Sequence, residues 1–336
     1  SGEAFTLPGR LLELPGSNET RFELILHSGS PEWLRDHRVY DQIIFPAAAW
    51  FELARQAGAT LGQPVLRAGR IHRALTIPDY AKIIVHTVIT RDGTVQIFSR
   101  NGNQGAWVLH FDGQLTAADA APPPVCPRPT DLPALSIDQL YQDYAERGLA
   151  YGPAFRGVTA LAAHVGSAVA QITLPIEAAE TTVRPGLHPA LLDACFQAAG
   201  AAFTADPDPD AVYLPVGVER WQIHEDEADF SAPLYLVAQT TETEETATVT
   251  LHLLDANDRV IATLEQLELQ RATRATLASQ LTSSAPTEWL YEVALESAKL
   301  TTNTPTQLEG NWLIICPGGV SGDALATEIK RAGARP

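Results

Sequence analysis

The sequence predicts an α+β protein in which an antiparallel sheet wraps one buried helix, and in which this unit occurs twice. In each half of the chain, strand-like segments lie on both sides of a single Ala-rich apolar segment of helical length. A proline stands at the start of each apolar segment, Pro46 in the first half and Pro189 in the second, where a helix does not need its N–H. A proline-rich segment at 121–135 separates the two halves.

The bulk composition restricts the possible classes of function. The 336 residues suggest two or three domains, and 45% hydrophobic with 19% charged residues permits sizeable cores. The net charge of −17 argues against a nucleic-acid or membrane-surface protein. Three widely separated cysteines without a CxxC argue against a disulfide framework or a zinc site, and they fit a reducing cytoplasm. No apolar run approaches the roughly 20 residues of a membrane span, and no signal peptide is recognisable.

The first half, residues 1–120, begins with an alternating strand pattern in "RFELILHS". The helix is predicted over 47–61 with Pro46 as its first residue, and its broadly apolar composition predicts that it is buried. Strands are then predicted through 65–116, separated by the turn signals "RDG" and "NGNQG".

The second half, residues 136–275, repeats this plan with little sequence identity. It opens with a predicted helix at 137–146, which Ser136 would cap and Gly148 would stop. Strands over 158–174 precede the Ala-rich helix that starts at Pro189, and four further strand segments follow it. The remainder, 276–336, predicts a linker and the start of an α/β unit, with one buried strand, a glycine turn and a helix. The Ser-Gly start and the abrupt end predict a piece of a longer chain.

Two residues are candidates for acid–base chemistry. His37 precedes the first buried helix, and Asp193 lies in the first turns of the second, with Gln197 four residues later on the same face. If the two halves pack as pseudo-twins, His37 and Asp193 can face each other across the interface. Burial lowers the pKa of a histidine and raises that of an aspartate, which would prepare the pair for proton transfer near neutral pH.

Purely structural interpretations are also open for these residues. His37 could be a hydrogen-bonded core histidine, and Asp193 could be an early helix residue favoured by the helix dipole. His188 could simply cap the second helix. A metal triad of these three residues lacks a supporting helical spacing, and "PGGVSG" near the end lacks the glycine spacing of a phosphate loop.

Four ordered motifs strengthen the catalytic interpretation. "HRVYDQIIFP" is similar to the HxxxGxxxxP motif of the dehydratase domains of modular polyketide synthases, and "YGPAFRG" resembles their YGPxF motif. "HPALLDACFQ" resembles HPALLDxxxQ, and "YLPVGVERW" resembles the LP-containing segment that follows it. The resemblance covers roughly residues 3–275. The segment from about Trp289 resembles the entry into the structural half of a ketoreductase.

The resemblance implies a double hotdog fold, with two antiparallel sheets that each wrap a central helix. It implies syn elimination of water from a (3R)-hydroxyacyl thioester on an acyl carrier protein, giving a trans-2-enoyl thioester. His37 would remove the C2 proton, Asp193 would protonate the departing C3 hydroxyl, and Gln197 would orient Asp193. No metal or organic cofactor is implied, because the carrier provides the phosphopantetheine arm. A neighbouring ketoreductase and a homodimer are the other implied partners.

The remaining implied site residues surround the reacting carbons. Tyr151 and the backbone around Gly152 would line the tunnel, as would Leu214 and Pro215 of the LP segment. Backbone N–H groups at the helix start near Pro46 could stabilise enolate-like charge on the thioester oxygen.

One departure from the motifs bears on activity, because Asp41 stands where the first motif has glycine. A glycine there allows a positive φ, which aspartate tolerates better than most residues. A buried Asp41 beside His37 would raise the pKa of the histidine and spoil the base, whereas a solvent-facing one would be harmless. Three functions therefore stay open: a dehydratase, a hotdog domain with altered chemistry (double-bond migration or oxa-cyclisation), and a non-catalytic structural domain.

Overall fold

Three α-helices and fifteen β-strands make up the described part of the chain. The computed structural model describes residues 6–102, 105–119, 121–179, 186–204, 208, 211–225 and 230–273. The α/β unit expected within 276–336 lies outside these residues. The helices are α1 Ala47–Ala59, α2 Ile137–Glu146 and α3 Pro189–Gly200.

The strands of the first half are β1 Arg10–Leu12, β2 Thr20–Leu26, β3 His37–Val39, β4 Gln42–Ile43, β5 Val65–Ile71, β6 Ile83–Ile89, β7 Thr94–Asn101 and β8 Val108–Thr116. Those of the second half are β9 Leu149–Tyr151, β10 Val158–His164, β11 Ser167–Ile172, β12 Ala211–Ile223, β13 Leu234–Glu242, β14 Thr246–Leu254 and β15 Val260–Thr273. Two short 3₁₀ turns, Glu32–Asp36 and Pro153–Phe155, precede β3 and follow β9.

The two Ala-rich segments form the central helices that the sequence predicts, with small differences at their ends. Pro46 is the N-cap of α1 rather than its first residue, and α1 ends two residues earlier than expected, before a turn in which Gly62 has a positive φ. His188 caps α3 by accepting a hydrogen bond from the Ala190 N–H, and Pro189 is its first residue. Nearly every residue of both helices is buried, as their composition predicts.

Each central helix packs on the strands of its own half, which confirms the predicted plan of one helix wrapped by an antiparallel sheet, made twice. Helix α1 contacts β5, β6 and β8, and α3 contacts β10, β11, β13 and β14, while α1 also contacts β12 of the second half. The helices also contact each other, with the rings of Phe51 and Phe196 6.2 Å apart. None of the described helices is long and apolar enough to cross a membrane.

The two sheets join edge to edge, which the sequence pattern did not indicate. The strand order is β1-β2-β6-β7-β8-β5-β12-β15-β14-β13-β11-β10, and every pairing is antiparallel among the described strands. The junction is the pairing of β5 with β12, where Leu66 lies opposite Trp221. A continuous sheet removes two edges that would otherwise expose unpaired backbone groups.

A separate three-stranded sheet, in the order β4-β3-β9, connects the two halves near their helices. In it His37 lies opposite Tyr151, and Val39 lies opposite Leu149. Helix α2 leads directly into β9 and has the bounds that the sequence predicts, with the Ser136 hydroxyl accepting from the Gln139 N–H. This small sheet is what brings the histidine of the first half to the second half.

A buried polar cluster fixes α1 to the sheet junction. The Glu52 carboxylate accepts two hydrogen bonds from the Arg55 guanidinium, at 2.8 and 3.0 Å, and one from the Gln56 amide. The indole N–H of Trp221 on β12 donates to the same carboxylate. All four residues are at most 2% exposed. A buried charge is tolerated only when it is paired and hydrogen-bonded, so this carboxylate depends on these donors.

Arg55→Met should lower the free energy of unfolding by about 3–5 kcal/mol, because it leaves the Glu52 carboxylate buried without its cation. Urea denaturation at neutral pH measures this loss. The control is Arg10→Met, which removes an exposed ion pair with Glu23 and should cost less than about 1 kcal/mol. Equal losses in the two variants would contradict the assignment.

Candidate active site

A cavity of about 740 Å³ lies beside the small sheet and both central helices. Its walls come from β3, α1, α2, α3, the start of β12 and the end of β15. The predicted site residues that line it are His37, Tyr151, Asp193, Gln197, Leu214 and Pro215. Pro46 and Gly152 are not among the lining residues. The volume lies within the range of ordinary ligand pockets.

Backbone hydrogen bonding determines which nitrogen of His37 is basic. The Nδ1 atom lies 2.9 Å from the carbonyl oxygen of Ile44. A carbonyl oxygen can only accept, so Nδ1 carries the proton and the neutral ring keeps its lone pair on Nε2. The Nε2 atom lies 3.8 Å from Oδ1 of Asp193. The ring is held from two sides by the aromatic rings of Tyr151 and Phe155, at 5.7 and 5.0 Å between centroids.

The carboxyl group of Asp193 is only 5% exposed at the start of α3. Burial raises the pKa of Asp193, and this effect outweighs the opposing influence of His37 and of the hydrogen bond from Gln197. A raised pKa favours the neutral acid. Asp193 is therefore prepared to donate a proton.

The Gln197 side chain decides which oxygen of Asp193 holds that proton. Its Nε2 donates to the Phe155 carbonyl oxygen at 3.1 Å and to Asp193 Oδ2 at 2.8 Å. Because the Phe155 carbonyl can only accept, the atom facing it must be the amide nitrogen rather than the amide oxygen. Oδ2 therefore accepts, and the proton of the neutral acid resides on Oδ1, the oxygen that faces His37.

The two candidate acid–base atoms lie close together without bonding to each other. A separation of 3.8 Å between His37 Nε2 and Asp193 Oδ1 is too long for a direct hydrogen bond. A base lone pair and an acid proton thus face the same small volume from opposite halves of the molecule. Such a pair can take a proton from one atom of a substrate and give a proton to its neighbour.

The "YGPAF" segment positions these groups by a close backbone approach. A Cβ on Gly152 would overlap the carboxylate of Asp36, so only glycine fits there. The Gly152 N–H donates to the Asp36 carbonyl, and the Ala154 N–H donates to the Asp36 carboxylate, both at 2.8 Å. Gly152 thereby fastens the segment that carries Tyr151 and Phe155 to the residue just before His37.

The start of α1 offers backbone donors beside this volume. The N–H groups of Ala49 and Trp50 bond to the Pro46 carbonyl, while those of Ala47 and Ala48 precede the helical ladder. Ala47 lines the cavity. Pro46 does not line the cavity itself, but as the N-cap it sets where α1 begins. The positive end of the helix dipole therefore points toward the site.

The side chain of Asp41 faces solvent rather than being buried beside His37. Its φ is +64°, the left-handed region for which the motif glycine is suited, and Tyr40 beside it has φ +45°. These two residues form the tight turn between β3 and β4, where Val39 pairs with Gln42. The residue is exposed, and its carboxylate is not among the groups that line the cavity.

Sequence reasoning assigned no role to several residues that complete the site. Phe155 is the last residue of the YGPxF motif, and its ring packs on His37 while its carbonyl orients Gln197. Tyr144 of α2 lines the cavity and donates its hydroxyl hydrogen bond to the Gln197 carbonyl at 2.7 Å. The helical spacing of α2 could have indicated a cavity-facing stripe, but no sequence signal shows a carbonyl contact.

The other candidate groups have structural positions. His188 caps α3, and burial lowers its pKa to about 3, so the ring is neutral. Its ring packs edge-on against Trp33 at 5.1 Å. Within the described ranges, no group of three or more His, Cys, Asp or Glu side chains is arranged to hold a metal ion.

Comparisons with known proteins agree with this architecture. A family model described as "Polyketide synthase dehydratase domain" matches residues 6–100, and one described as "Polyketide synthase dehydratase N-terminal domain" matches residues 119–279. Together the two models match well over half of the chain. The chain belongs to the polyketide synthase dehydratase family.

Individual relatives of this dehydratase are larger proteins. The mycoketide-CoA synthase of Mycobacterium tuberculosis (strain ATCC 25618 / H37Rv) is 28% identical over 337 residues, which cover 96% of this chain and 8% of the synthase. The chain therefore spans a small part of the length of that relative.

Solved dehydratase domains of the curacin polyketide synthase superpose on it. The CurF-module domain is 28% identical, with a TM-score of 0.67, covering 80% of this chain and 100% of that one. The CurK dehydratase, also 28% identical, has been solved as two inactive mutants, an Asp-to-Asn change (TM-score 0.67, 80% and 99% coverage) and a His-to-Phe change (TM-score 0.68, 81% and 98% coverage). This likeness confirms the double hotdog fold.

Asp41→Gly should leave kcat/KM for dehydration within about twofold, because the carboxylate is exposed and the backbone conformation suits glycine. Asp41→Val should destabilise the domain by about 1–2 kcal/mol, because a β-branched residue is strained at positive φ. Steady-state kinetics and thermal unfolding of both variants test this. A large gain in activity for Asp41→Gly would show that the carboxylate does disturb His37.

Proposed function

We propose that this domain removes water from a (3R)-3-hydroxyacyl thioester, carried on the phosphopantetheine arm of an acyl carrier protein, to give the trans-2-enoyl thioester. The observation that carries the proposal is the opposition of His37 Nε2 to Asp193 Oδ1 within the cavity. A backbone carbonyl fixes the proton position on each partner, that of Ile44 for His37 and that of Phe155, through Gln197, for Asp193.

The elimination uses these two atoms on one face of the substrate. His37 Nε2 takes the C2 proton, and the electron pair of the broken C–H bond forms the C2–C3 double bond as the C3–O bond breaks. Asp193 Oδ1 protonates the departing hydroxyl, which leaves as water. The imidazolium and the carboxylate that result face each other at 3.8 Å, and relay of the proton from His37 to Asp193 through a water molecule, such as the one released, restores the starting state.

The environment assists both the removal of the C2 proton and the departure of the C3 hydroxyl. A C2 proton next to a thioester is weakly acidic, and the free N–H groups at the start of α1 stabilise the negative charge that develops on the thioester oxygen. Hydroxide is a poor leaving group, so an acid kept neutral by burial is needed beside it. Each step uses a group of this chain, so the mechanism calls for no metal or organic cofactor.

The curacin relative supports these roles. The CurK dehydratase is inactive as an Asp-to-Asn and as a His-to-Phe mutant. This chain retains both an aspartate and a histidine, in facing positions. Retention of the acid favours dehydration over double-bond migration or oxa-cyclisation, and retention of both members of the pair disfavours a purely structural domain.

The carrier protein and neighbouring synthase domains are the proposed partners. Carrier proteins are acidic, and the net charge of −17 on this chain would repel one at long range. Arg73 and Arg147 lie at the cavity and supply local positive charge, while Arg271, also at the cavity, pairs with Asp208. Tethering within one synthase would raise the effective concentration of the carrier. We include a ketoreductase neighbour, a homodimer and a cytoplasmic location in this proposal, the last because Cys126 and Cys195 are free thiols.

Incubation with a (3R)-3-hydroxyacyl carrier protein should convert it to a species about 18 mass units lighter, the mass of one water, by intact-protein mass spectrometry. His37→Ala and Asp193→Asn should each lower the rate by about 10²–10⁴-fold, because each removes one partner in proton transfer. Asp138→Asn, a change of the same kind at an exposed residue of α2 that does not line the cavity, is the control for folding. Water loss by wild type and by both active-site variants at equal rates would contradict the assignment.

The pH dependence of kcat/KM tests the protonation state of Asp193 and the influence of Gln197 on its pKa. The acid must be protonated, so activity should fall as the pH rises through the pKa of Asp193, which burial raises above its ordinary value. Gln197→Met removes a hydrogen bond that lowers this pKa, so the alkaline limb should move to higher pH. Gln142→Met, on the exposed side of α2, is the control. An alkaline limb that stays in place or moves to lower pH in Gln197→Met would refute this role.

A further inference from the structure

The cavity continues beyond the catalytic pair, between helices α2 and α3. Residues of α3 line it at helical spacing from Asp193 through Gly200 to Ala201, a distance of about 12 Å along the axis. Residues of α2 and of the turn before it form the opposite wall: Ser136, Gln139, Leu140, Asp143, Tyr144 and Arg147. Leu135, Leu161 and Phe203 add an apolar surface to this part of the lining.

Reaction geometry assigns this extension to the acyl chain. The thioester oxygen must face the α1 N-terminus to be stabilised. C3 must lie at Asp193. The carbons beyond C3 therefore continue away from α1, along α3, into the apolar part of the cavity.

Tyr144 crosses this extension partway along. Its hydroxyl donates to the carbonyl of Gln197 at 2.7 Å. In a continued α-helix the Ala201 N–H would donate to the Gln197 carbonyl, but here it donates to the Ala198 carbonyl. The Gln197 carbonyl is therefore left without its helical donor, and the Tyr144 hydroxyl caps it. The phenol ring rests edge-on against the Tyr151 ring at 5.5 Å. The ring is thus fixed at both ends, between the catalytic pair and the far end of the cavity.

Gly200 makes the room for this crossing. A Cβ at this position would overlap the Tyr144 hydroxyl, and no other group comes as near. The backbone of Gly200 does not have a positive φ, so the position does not need glycine for its conformation. The close approach of the Tyr144 hydroxyl is therefore the reason that position 200 needs a residue without a Cβ.

We propose that Tyr144, admitted by Gly200, determines which acyl chains the domain accepts, by narrowing the passage between α2 and α3 beyond C3. The proposal rests on the proposed function. Short acyl chains end before the Tyr144 ring, whereas longer ones must pass beside it to reach Leu140 and Leu161. Each methylene buried beyond the ring would strengthen binding by about fourfold.

Binding of saturated acyl-pantetheine thioesters tests the proposal without turnover. The ratio of the decanoyl to the butanoyl association constant, from calorimetry, is the quantity compared. Tyr144→Ala should raise this ratio by about tenfold or more, since two further methylenes gain contact. Tyr144→Phe keeps the ring and should leave the ratio within about twofold of wild type. If Tyr144→Ala proves unfolded by circular dichroism, Tyr144→Leu replaces it.

Gly200→Ala should change the ratio in the opposite direction, and a second substitution at Tyr144 should reverse that change. The added methyl would displace the Tyr144 hydroxyl into the passage and should lower the ratio severalfold. Gly200→Ala combined with Tyr144→Phe has no hydroxyl to displace, so its ratio should return to that of Tyr144→Phe. Unchanged ratios in both Tyr144→Ala and Gly200→Ala, or a double variant no better than Gly200→Ala, would overturn the proposal.

The outcomes separate this proposal from the proposed function. If the variants show the expected changes in the ratio of association constants, but the wild-type domain never releases water from hydroxyacyl carriers, dehydration is contradicted and the role of Tyr144 stands. If the domain dehydrates hydroxyacyl carriers but the Tyr144 and Gly200 variants leave the ratio unchanged, only the role of Tyr144 is contradicted. Binding of neither thioester would overturn both.

Discussion

The antiparallel pairing of His37–Val39 with Leu149–Tyr151 is the interaction on which the site depends. Each hotdog unit could bury its own helix without it, but His37, the proposed base, belongs to one unit and Asp193, the proposed acid, to the other. The short strand pair places the His37 ring against Tyr151 and Phe155, and the Phe155 carbonyl then holds Gln197 and, through it, Asp193. This backbone pairing holds the two side chains in a defined geometry, with 3.8 Å between His37 Nε2 and Asp193 Oδ1.

Backbone carbonyls, rather than other catalytic side chains, set the protonation pattern of this pair. Ile44 accepts from Nδ1 of His37, and Phe155 accepts from the amide that donates to Asp193. A carbonyl has no alternative protonation state, so it imposes one tautomer and one amide orientation. Burial adds the remaining condition by raising the pKa of Asp193. The arrangement resembles other acid–base sites in which environment, not residue identity, divides the roles.

The departure at Asp41 illustrates how a motif carries a conformational requirement. The motif glycine stands at a turn that needs positive φ, and aspartate meets that need at +64° with its side chain exposed. Residue spacing indicated the requirement, but the direction of the side chain depended on the β3–β4 turn. The same distinction applies to Gly152, where the requirement is close approach to Asp36 rather than a positive φ.

The sequence by itself determined the local elements and was enough to propose His37 and Asp193 as an acid–base pair. Apolar periodicity, prolines at helix starts and the Ser136 cap predicted three helices and most strands, because these signals act over a few residues. Only the tertiary structure decided the edge-to-edge joining of the sheets, the pairing of β3 with β9, the orienting carbonyls of Ile44 and Phe155, and the crossing of Tyr144 toward Gly200. These contacts join residues distant in the chain, or depend on backbone atoms that every residue shares, so no residue type marks them in advance.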